Sequence, residues 1–297
     1  MKNNAILKNF DISNYTTIKA GGITEFFAEP NNVYEFIKLI EWSYLNNHKC
    51  RVIGAGSNLL INNIFLKGLI ICTKKMRSLR IEPDSGNVEA ESGVMLPTLS
   101  NLLAKNGLQG GEWAIGVPGT LGGAIFMNAG SGNSSFANNL ESVKVINNKT
   151  FEQLEIEKKD INFEYRFSSF QKNDLVIIRA RLHFVPNGNL EKLIQTTKNN
   201  LKLKTETQPY HQPSFGSVFK NPENNYAAKL IDEMGLKGFK IGGAEISTMH
   251  SNFIINNSTA SSKDIYELIT VIQQKVLQKK GIYLQPEVRM IGFVYPD

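Results

Sequence analysis

At 297 residues, 41% of them hydrophobic, the chain has material for about two domains with real cores, and its composition is that of an ordinary globular protein. The net charge of +6, from 33 basic against 27 acidic residues, is scattered in ones and twos, which favours small anionic ligands over a nucleic-acid surface. The opening residues 1–15 carry no apolar signal core and no run of about 18 apolar residues occurs, so the sequence predicts a soluble cytoplasmic protein that does not enter a membrane.

Residues 24–53 read as a βαβ unit: a strand Thr24–Ala28, a helix opening at Asn32 and a strand Arg51–Ile53. Asn32 with Glu35 makes a capping pair, and Val33, Phe36, Ile37, Ile40 and Tyr44 share one helical face. The second strand runs into Gly54-Ala55-Gly56-Ser57-Asn58, bare amides of the kind that suit phosphate. It is no Rossmann fingerprint, because Leu59 stands where the third glycine belongs and Lys74 and Lys75 replace the acidic ribose partner. Val88–Glu91 is a predicted strand and Leu96–Asn106 a helix stopped by Gly107. The segment from Gly116 to Gly130, GVPGTLGGAIFMNAG, then sets Gly116, Gly119, Gly122, Gly123 and Gly130 around Pro118. Glycine is costly to order, so this density implies that the backbone itself approaches a ligand. Ala124 and Ile125 after Gly123 exclude a Walker A loop.

Strands Val143–Ile146 and Leu154–Ile156 flank a turn at Asn147-Asn148-Lys149, and Ile178, Ala180, Leu182 and Phe184 alternate along another strand. Leu190, Leu193, Ile194 and Leu201 mark a helix that breaks into the polar stretch Thr205–Pro213, the best domain boundary. Beyond it lie a helix Ala227–Met234, an extended segment Asn252–Ile255, and a helix Ser261–Lys280 with the capping box Ser261-x-x-Asp264, the buried face Ile265, Leu268, Ile269, Ile272 and Val276, and a stop at Gly281.

Few side chains carry chemistry on local grounds. Ser217 lies among aromatic and glycine neighbours in SFGSVFKNP, but Phe215 and Phe219 occupy the glycine positions of a hydrolase elbow. Arg166, in FEYRF, either forks onto a carboxylate or pairs with a surface acid. Glu287, in QPEVR, is expected on a strand face opposite Leu284, Val288 and Met290 and therefore in solvent. Taken singly, each of the three reads more simply as structural. His48, His183, His211 and His250 share no metal or triad spacing, and Cys50 and Cys72 read as buried free thiols, so no metal is indicated.

Taken in order, seven segments resemble the UDP-N-acetylenolpyruvoylglucosamine reductase family, flavoenzymes of the second committed step of peptidoglycan precursor synthesis: TTIKAGG (16–22), GAGSNLLI (54–61), the glycine-rich segment 116–130, Tyr165-Arg166, GSVFKNP (216–222), GAEISTMHSNFIIN (243–256) and QPEVR (285–289). The resemblance implies an α+β fold, with a two-lobed FAD-binding region of the vanillyl-alcohol oxidase type over residues 1–73 and 74–200. A C-terminal α+β substrate domain with a return strand follows over 201–297. It implies non-covalent FAD held by Gly54, Ala55, Gly56, Ser57, Asn58, Leu59, Gly116, Val117, Pro118, Gly119, Thr120, Gly122, Gly123, Ala124, Asn128 and Gly130. NADPH would be the hydride donor and UDP-N-acetylglucosamine enolpyruvate the small-molecule substrate of a monomer. Ser217 matches the proton donor, Arg166 and Glu287 the other catalytic positions, and Tyr165, Arg166, Asn221 and Glu287 the substrate contacts. Lys202 and Lys204 are both candidates for the lysine at the diphosphate. The short interval from Arg166 to Ser217 resembles the branch lacking an extra substrate-capping loop.

Overall fold

The computed structural model describes residues 6–293; residues 1–5 of the N-terminal stretch read above, and 294–297 at the end of the third predicted domain, lie outside them. The chain divides into two compact units, one of Met1–Lys8, Phe26–Ala55 and Lys67–Leu203, the other of Asn9–Glu25, Gly56–Leu66 and Lys204–Asp297. Helices and strands mix in both, the α+β class expected.

The first unit is built on a five-stranded antiparallel sheet in the order Gln153–Glu157, Leu140–Asn147, Leu175–His183, Asn87–Glu91, Leu79–Glu82. The hairpin between its first two strands turns where the sequence predicts, because Asn147 Oδ1 accepts from the backbone N–H groups of Lys149 and Thr150. Val88, Val143, Val145 and Leu182 line the sheet's inner face. Over it close Leu99 and Leu103 of the helix Leu96–Lys105 and Leu121 and Ile125 of the helix Leu121–Met127. Burying each such side chain stabilises the unit by roughly 1.5–3 kcal/mol.

A smaller sheet runs in the order Leu7–Asp11, Ile23–Ala28, Leu66–Cys72, Cys50–Ile53, so the two strands of the predicted βαβ unit share a sheet with a third strand inserted between them. The helix Val33–Leu45 is capped as expected, Asn32 Oδ1 accepting from Glu35 N at 2.9 Å. The reciprocal half is displaced by one residue, with the Glu35 carboxylate accepting from Asn31 N. Its buried face is Phe36, Leu39, Ile40 and Ser43. Tyr44, predicted to share that face, is 58% exposed at the helix end, its ring edge-on to Phe151.

The second unit carries a four-stranded sheet in the order Ser214–Ser217, Phe253–Asn256, Ala244–Ile246, Lys240–Ile241. The helix Ser262–Lys280 packs against it through Ile265, Leu268, Ile269, Ile272 and Val276, all 0–1% exposed. Both halves of its capping box form, Asp264 N to Ser261 Oγ and Ser261 N to the Asp264 carboxylate, and Gly281 closes it at φ 68°. The helix predicted to break at Thr205 runs on as Leu190–Thr207. A parallel pair joins Leu59–Ile61 to Arg289–Ile291.

Candidate functional site

In the first unit the glycine-rich segment and the arginine prove to be parts of one construction. Thr120 precedes the helix Leu121–Met127, which ends at Asn128 in the left-handed conformation at φ 44°. Asn128 Nδ2 donates to Glu164 O at 2.9 Å. The carbonyl of Phe126, freed at the helix end, accepts from Ser168 Oγ at 2.7 Å and Gln171 Nε2 at 2.9 Å. These bonds grip a hairpin in which Phe163 pairs with Ser168 and Glu164 with Phe167, leaving Tyr165 and Arg166 as its turn. Arg166 adopts φ 57°, a turn conformation that normally selects glycine or asparagine. An arginine held there implies that the guanidinium, not the backbone, dictates the residue. That guanidinium is half-buried, donates to Gly130 O at 3.3 Å, and lies 5.0 Å from the centre of the exposed Tyr165 ring.

The same unit contains the strand end Ile53-Gly54-Ala55. A Cβ on Gly54 would stand 2.2 Å from Thr120 Oγ1, whereas Gly123 is exposed and has only Thr120 Oγ1, at 3.6 Å, within reach of its missing Cβ. Thr120 is 2% exposed and its hydroxyl has no hydrogen-bond partner among the described residues. A buried donor between two bare glycines is costly unless something accepts from it. The chemistry of this niche therefore fits an oxygen-rich group such as the diphosphate or ring carbonyls of a dinucleotide.

Other glycines have a different explanation from the one the sequence suggests. A side chain at Gly122 would meet Ser92 Cβ at 2.7 Å, and one at Gly130 would meet Ser134 O at 2.3 Å. These two are bare because the protein's own backbone and side chains crowd them. Beside Gly54, the Cys72 thiol donates to Gly54 O at 3.4 Å, and burial pushes its pKa from 9.0 to about 11, so it stays protonated and inert.

In the second unit, Gly56 has φ 67° and would place a Cβ 2.0 Å from Tyr15 O, so this glycine too answers to internal packing, here against the TTIKAGG segment. Asn58 ties the loop to QPEVR: its Nδ2 donates to Glu287 O at 3.1 Å, and its carbonyl accepts from Arg289 N at 2.9 Å. Glu287 does not lie on a strand in solvent as the sequence suggests. It precedes the strand Arg289–Ile291, is half-buried, and donates its backbone N–H to Val218 O at 2.8 Å. The Val288 N–H reaches the same carbonyl, and Lys220 N donates to Gln285 O. Local alternation failed here because the segment pairs with the GSVFKNP chain rather than with a regular sheet edge.

Ser217 ends the strand Ser214–Ser217, paired with Phe253. It is half-buried, and among the described residues none hydrogen-bonds its hydroxyl. The structure thus brings Glu287 against the residue that follows Ser217, while Arg166 belongs to the other unit. Asn221 is exposed, and its Oδ1 accepts from Ala227 N at the start of the helix Ala227–Asp232. Lys202 is exposed; Lys204 is half-buried, and its charge reaches His250.

Asn252 escaped the sequence reading. Its side chain brackets Phe219, accepting from the N–H at 3.0 Å and donating to the carbonyl at 2.9 Å, while its own carbonyl accepts from Val218 N. Asn256 similarly holds Ile18 O at 2.9 Å and accepts from Ala260 N. The signal available was an asparagine at each end of the apolar run Phe253-Ile254-Ile255, affordable inside a core only when fully bonded.

Residues 24–150 match the FAD binding domain family, and residues 208–291 match the C-terminal domain of UDP-N-acetylenolpyruvoylglucosamine reductase. The first span includes both glycine loops and the second Ser217 and Glu287, whereas Arg166 falls in neither. A UDP-N-acetylenolpyruvoylglucosamine reductase of Prochlorococcus marinus subsp. pastoris is 72% identical over 296 residues, covering 100% of each chain. Another, from Prochlorococcus marinus strain NATL2A, is 46% identical and covers 96% of this chain and 98% of its own. Among solved structures, the UDP-N-acetylenolpyruvylglucosamine reductase of Thermus caldophilus superposes with a TM-score of 0.79 at 28% identity, covering 95% of this chain and 97% of that one. With its glycine loops, its GSVFKNP and QPEVR segments and its full-length likeness to these enzymes, the chain belongs to the UDP-N-acetylenolpyruvoylglucosamine reductase family.

Proposed function

We infer that this chain, an FAD-containing oxidoreductase of peptidoglycan precursor synthesis that uses NADPH, reduces UDP-N-acetylglucosamine enolpyruvate to UDP-N-acetylmuramate with Arg166, Ser217 and Glu287 as its acting groups. Bound FAD supplies the relay of hydride from NADPH to the terminal carbon of the enolpyruvyl group. Gly54, Thr120 and Gly123 would hold it, Thr120 through its otherwise unsatisfied hydroxyl, with the remaining positions of the two glycine loops around it.

Addition of hydride leaves negative charge at C2 and on the conjugated carboxylate, and the planar fork of Arg166 can hold that carboxylate bidentately as the charge grows. Its half-burial strengthens the interaction relative to water. A proton must then reach C2, and the hydroxyl of Ser217, which has no hydrogen-bond partner among the described residues, is available to deliver it. Glu287, whose backbone is fixed on Val218 O, is assigned the orientation of that donor. A second full anion beside the developing charge would be repulsive. Tyr165 and Asn221 complete the substrate contacts, with Lys202 or Lys204 at the diphosphate.

We further propose the three-domain division 1–73, 74–200 and 201–297, the branch without an extra capping loop, and a cytoplasmic monomer. No helix among the described residues is long and apolar enough to cross a membrane. The observation that carries the catalytic reading is the backbone junction that sets Glu287 beside the Ser217 strand while, among the described residues, none engages the serine hydroxyl. Purified protein should be yellow, bleach with NADPH and regain its colour on addition of the enolpyruvyl substrate. Bleached protein that recolours no faster with that substrate than without it refutes the substrate assignment.

A further inference from the structure

The Arg166 turn is held from both sides by carboxamides to which the reaction itself gives no part. On one side, Asn128 donates to Glu164 O at 2.9 Å and accepts from Ala137 N at 3.3 Å, so both ends of its side chain are committed within the protein. On the other, Gln171 Nε2 donates to Phe126 O at 2.9 Å and to Arg166 O at 3.3 Å, linking the helix end to the turn through a single amide. The carbonyl before Tyr165, the carbonyl of Arg166 and, through Gly130 O, the guanidinium are thereby all fixed. The conformation they fix is unfavourable for arginine, at φ 57°, and it persists only if its surroundings over-determine it. Asn128 itself adopts φ 44°, tolerable for asparagine and poor for most other residues.

We propose that Gln171 and Asn128 are positioning residues for Arg166, a two-sided clamp that keeps the strained turn from relaxing and carrying the guanidinium away from its working position. Asn128, which the resemblance places at the cofactor, would through this clamp also serve the substrate half of the reaction. The proposal rests on the reading that Arg166 holds the substrate carboxylate.

The test uses the holoenzyme and two backgrounds. Gln171→Met keeps the length of the side chain but has no donor. It should slow recolouring of the NADPH-bleached enzyme by the enolpyruvyl substrate about tenfold, as loss of a pair of directed hydrogen bonds does. Calorimetric affinity for that substrate should weaken comparably, with the rate of bleaching and the flavin content unchanged. In the Arg166→Lys background, where the fork is already gone, the same change should cost less than about twofold.

An equal cost in both backgrounds, equal slowing of bleaching, or no cost at all overturns the clamp while leaving the role of Arg166 intact. Unaltered recolouring in Arg166→Lys alone overturns the role of Arg166, and the clamp with it. Should Gln171→Met fail to fold, Gln171→Glu, of the same shape but opposing the two carbonyls with an acceptor, is measured against the same outcomes.

Discussion

Gly123→Ala separates glycines kept bare for a ligand from glycines kept bare for packing. At Gly123 an added Cβ has one neighbour, Thr120 Oγ1 at 3.6 Å, which is ordinary contact, and the backbone φ lies outside the left-handed region. The residue sits within the helix Leu121–Met127, where alanine is more stable than glycine by about 0.5–1 kcal/mol. The apoprotein should therefore melt at the wild-type temperature or about 2 °C above it. If cofactor oxygens lie against this face, the methyl group overpacks the bound state by about 1–3 kcal/mol, weakening FAD roughly 10- to 100-fold. Gly56→Ala and Gly122→Ala behave differently, because their new Cβ atoms meet Tyr15 O at 2.0 Å and Ser92 Cβ at 2.7 Å. Both should destabilise the apoprotein, so flavin lost from them reports packing. Titration of FAD into apoprotein by fluorescence quenching, alongside apoprotein melting, reads both quantities. An unchanged FAD affinity in Gly123→Ala refutes the cofactor niche, and a melting temperature lowered by several degrees refutes the packing argument.

Other consequences are equally direct. Ser217→Ala should leave bleaching by NADPH intact and slow recolouring by the substrate about 10²- to 10⁴-fold, the usual cost of a lost general acid; stopped-flow traces slowed equally in both steps would falsify the proton-donor role. Asn252→Ala strands two buried backbone groups of Phe219, which should cost about 2–4 kcal/mol in urea denaturation; a loss under about 0.5 kcal/mol would mean that the bracket contributes nothing. Burial raises the Cys72 pKa from 9.0 to about 11, so the folded state binds this proton more tightly than the unfolded one. The resulting stability, about 2–3 kcal/mol, is present below pH 9.0 and lost as pH rises towards about 11. Cys72→Ala should flatten that decline in urea midpoints, and an identical decline in the variant counts against the burial argument.

The parts of the fold that were legible in the sequence are those fixed by near neighbours. The capping box at Ser261, the Asn32 cap and the stop at Gly281 each follow from backbone donors and acceptors a few residues away, and each forms. The alternation through Ala180 and Leu182 forms as well, carried by the period of the strand itself although its partners Leu140–Asn147 and Asn87–Glu91 are distant in sequence. Tyr44 and Glu287 mark where this reasoning ends, since periodicity says which residues share a face but not which other chain segment covers it. Glu287 is withdrawn from solvent by a carbonyl at Val218, far away in sequence.

The glycines show the same boundary from the other side. Their density signals close approach correctly, but not the identity of what approaches, and at Gly56, Gly122 and Gly130 it is the chain itself. Gly54 is itself crowded, its Cβ position 2.2 Å from Thr120 Oγ1. What marks it together with Gly123 is that both adjoin this one buried hydroxyl, left without a partner among the described residues, a fact about three-dimensional neighbours that no spacing encodes. Ser92 Oγ, Ser100 Oγ and Asn148 Oδ1 are likewise buried without a partner among the described residues, but Thr120 lies against a glycine of each loop, where an acceptor from a bound group would satisfy it. This makes Thr120, rather than the glycine count, the stronger physical argument for a cofactor at this place.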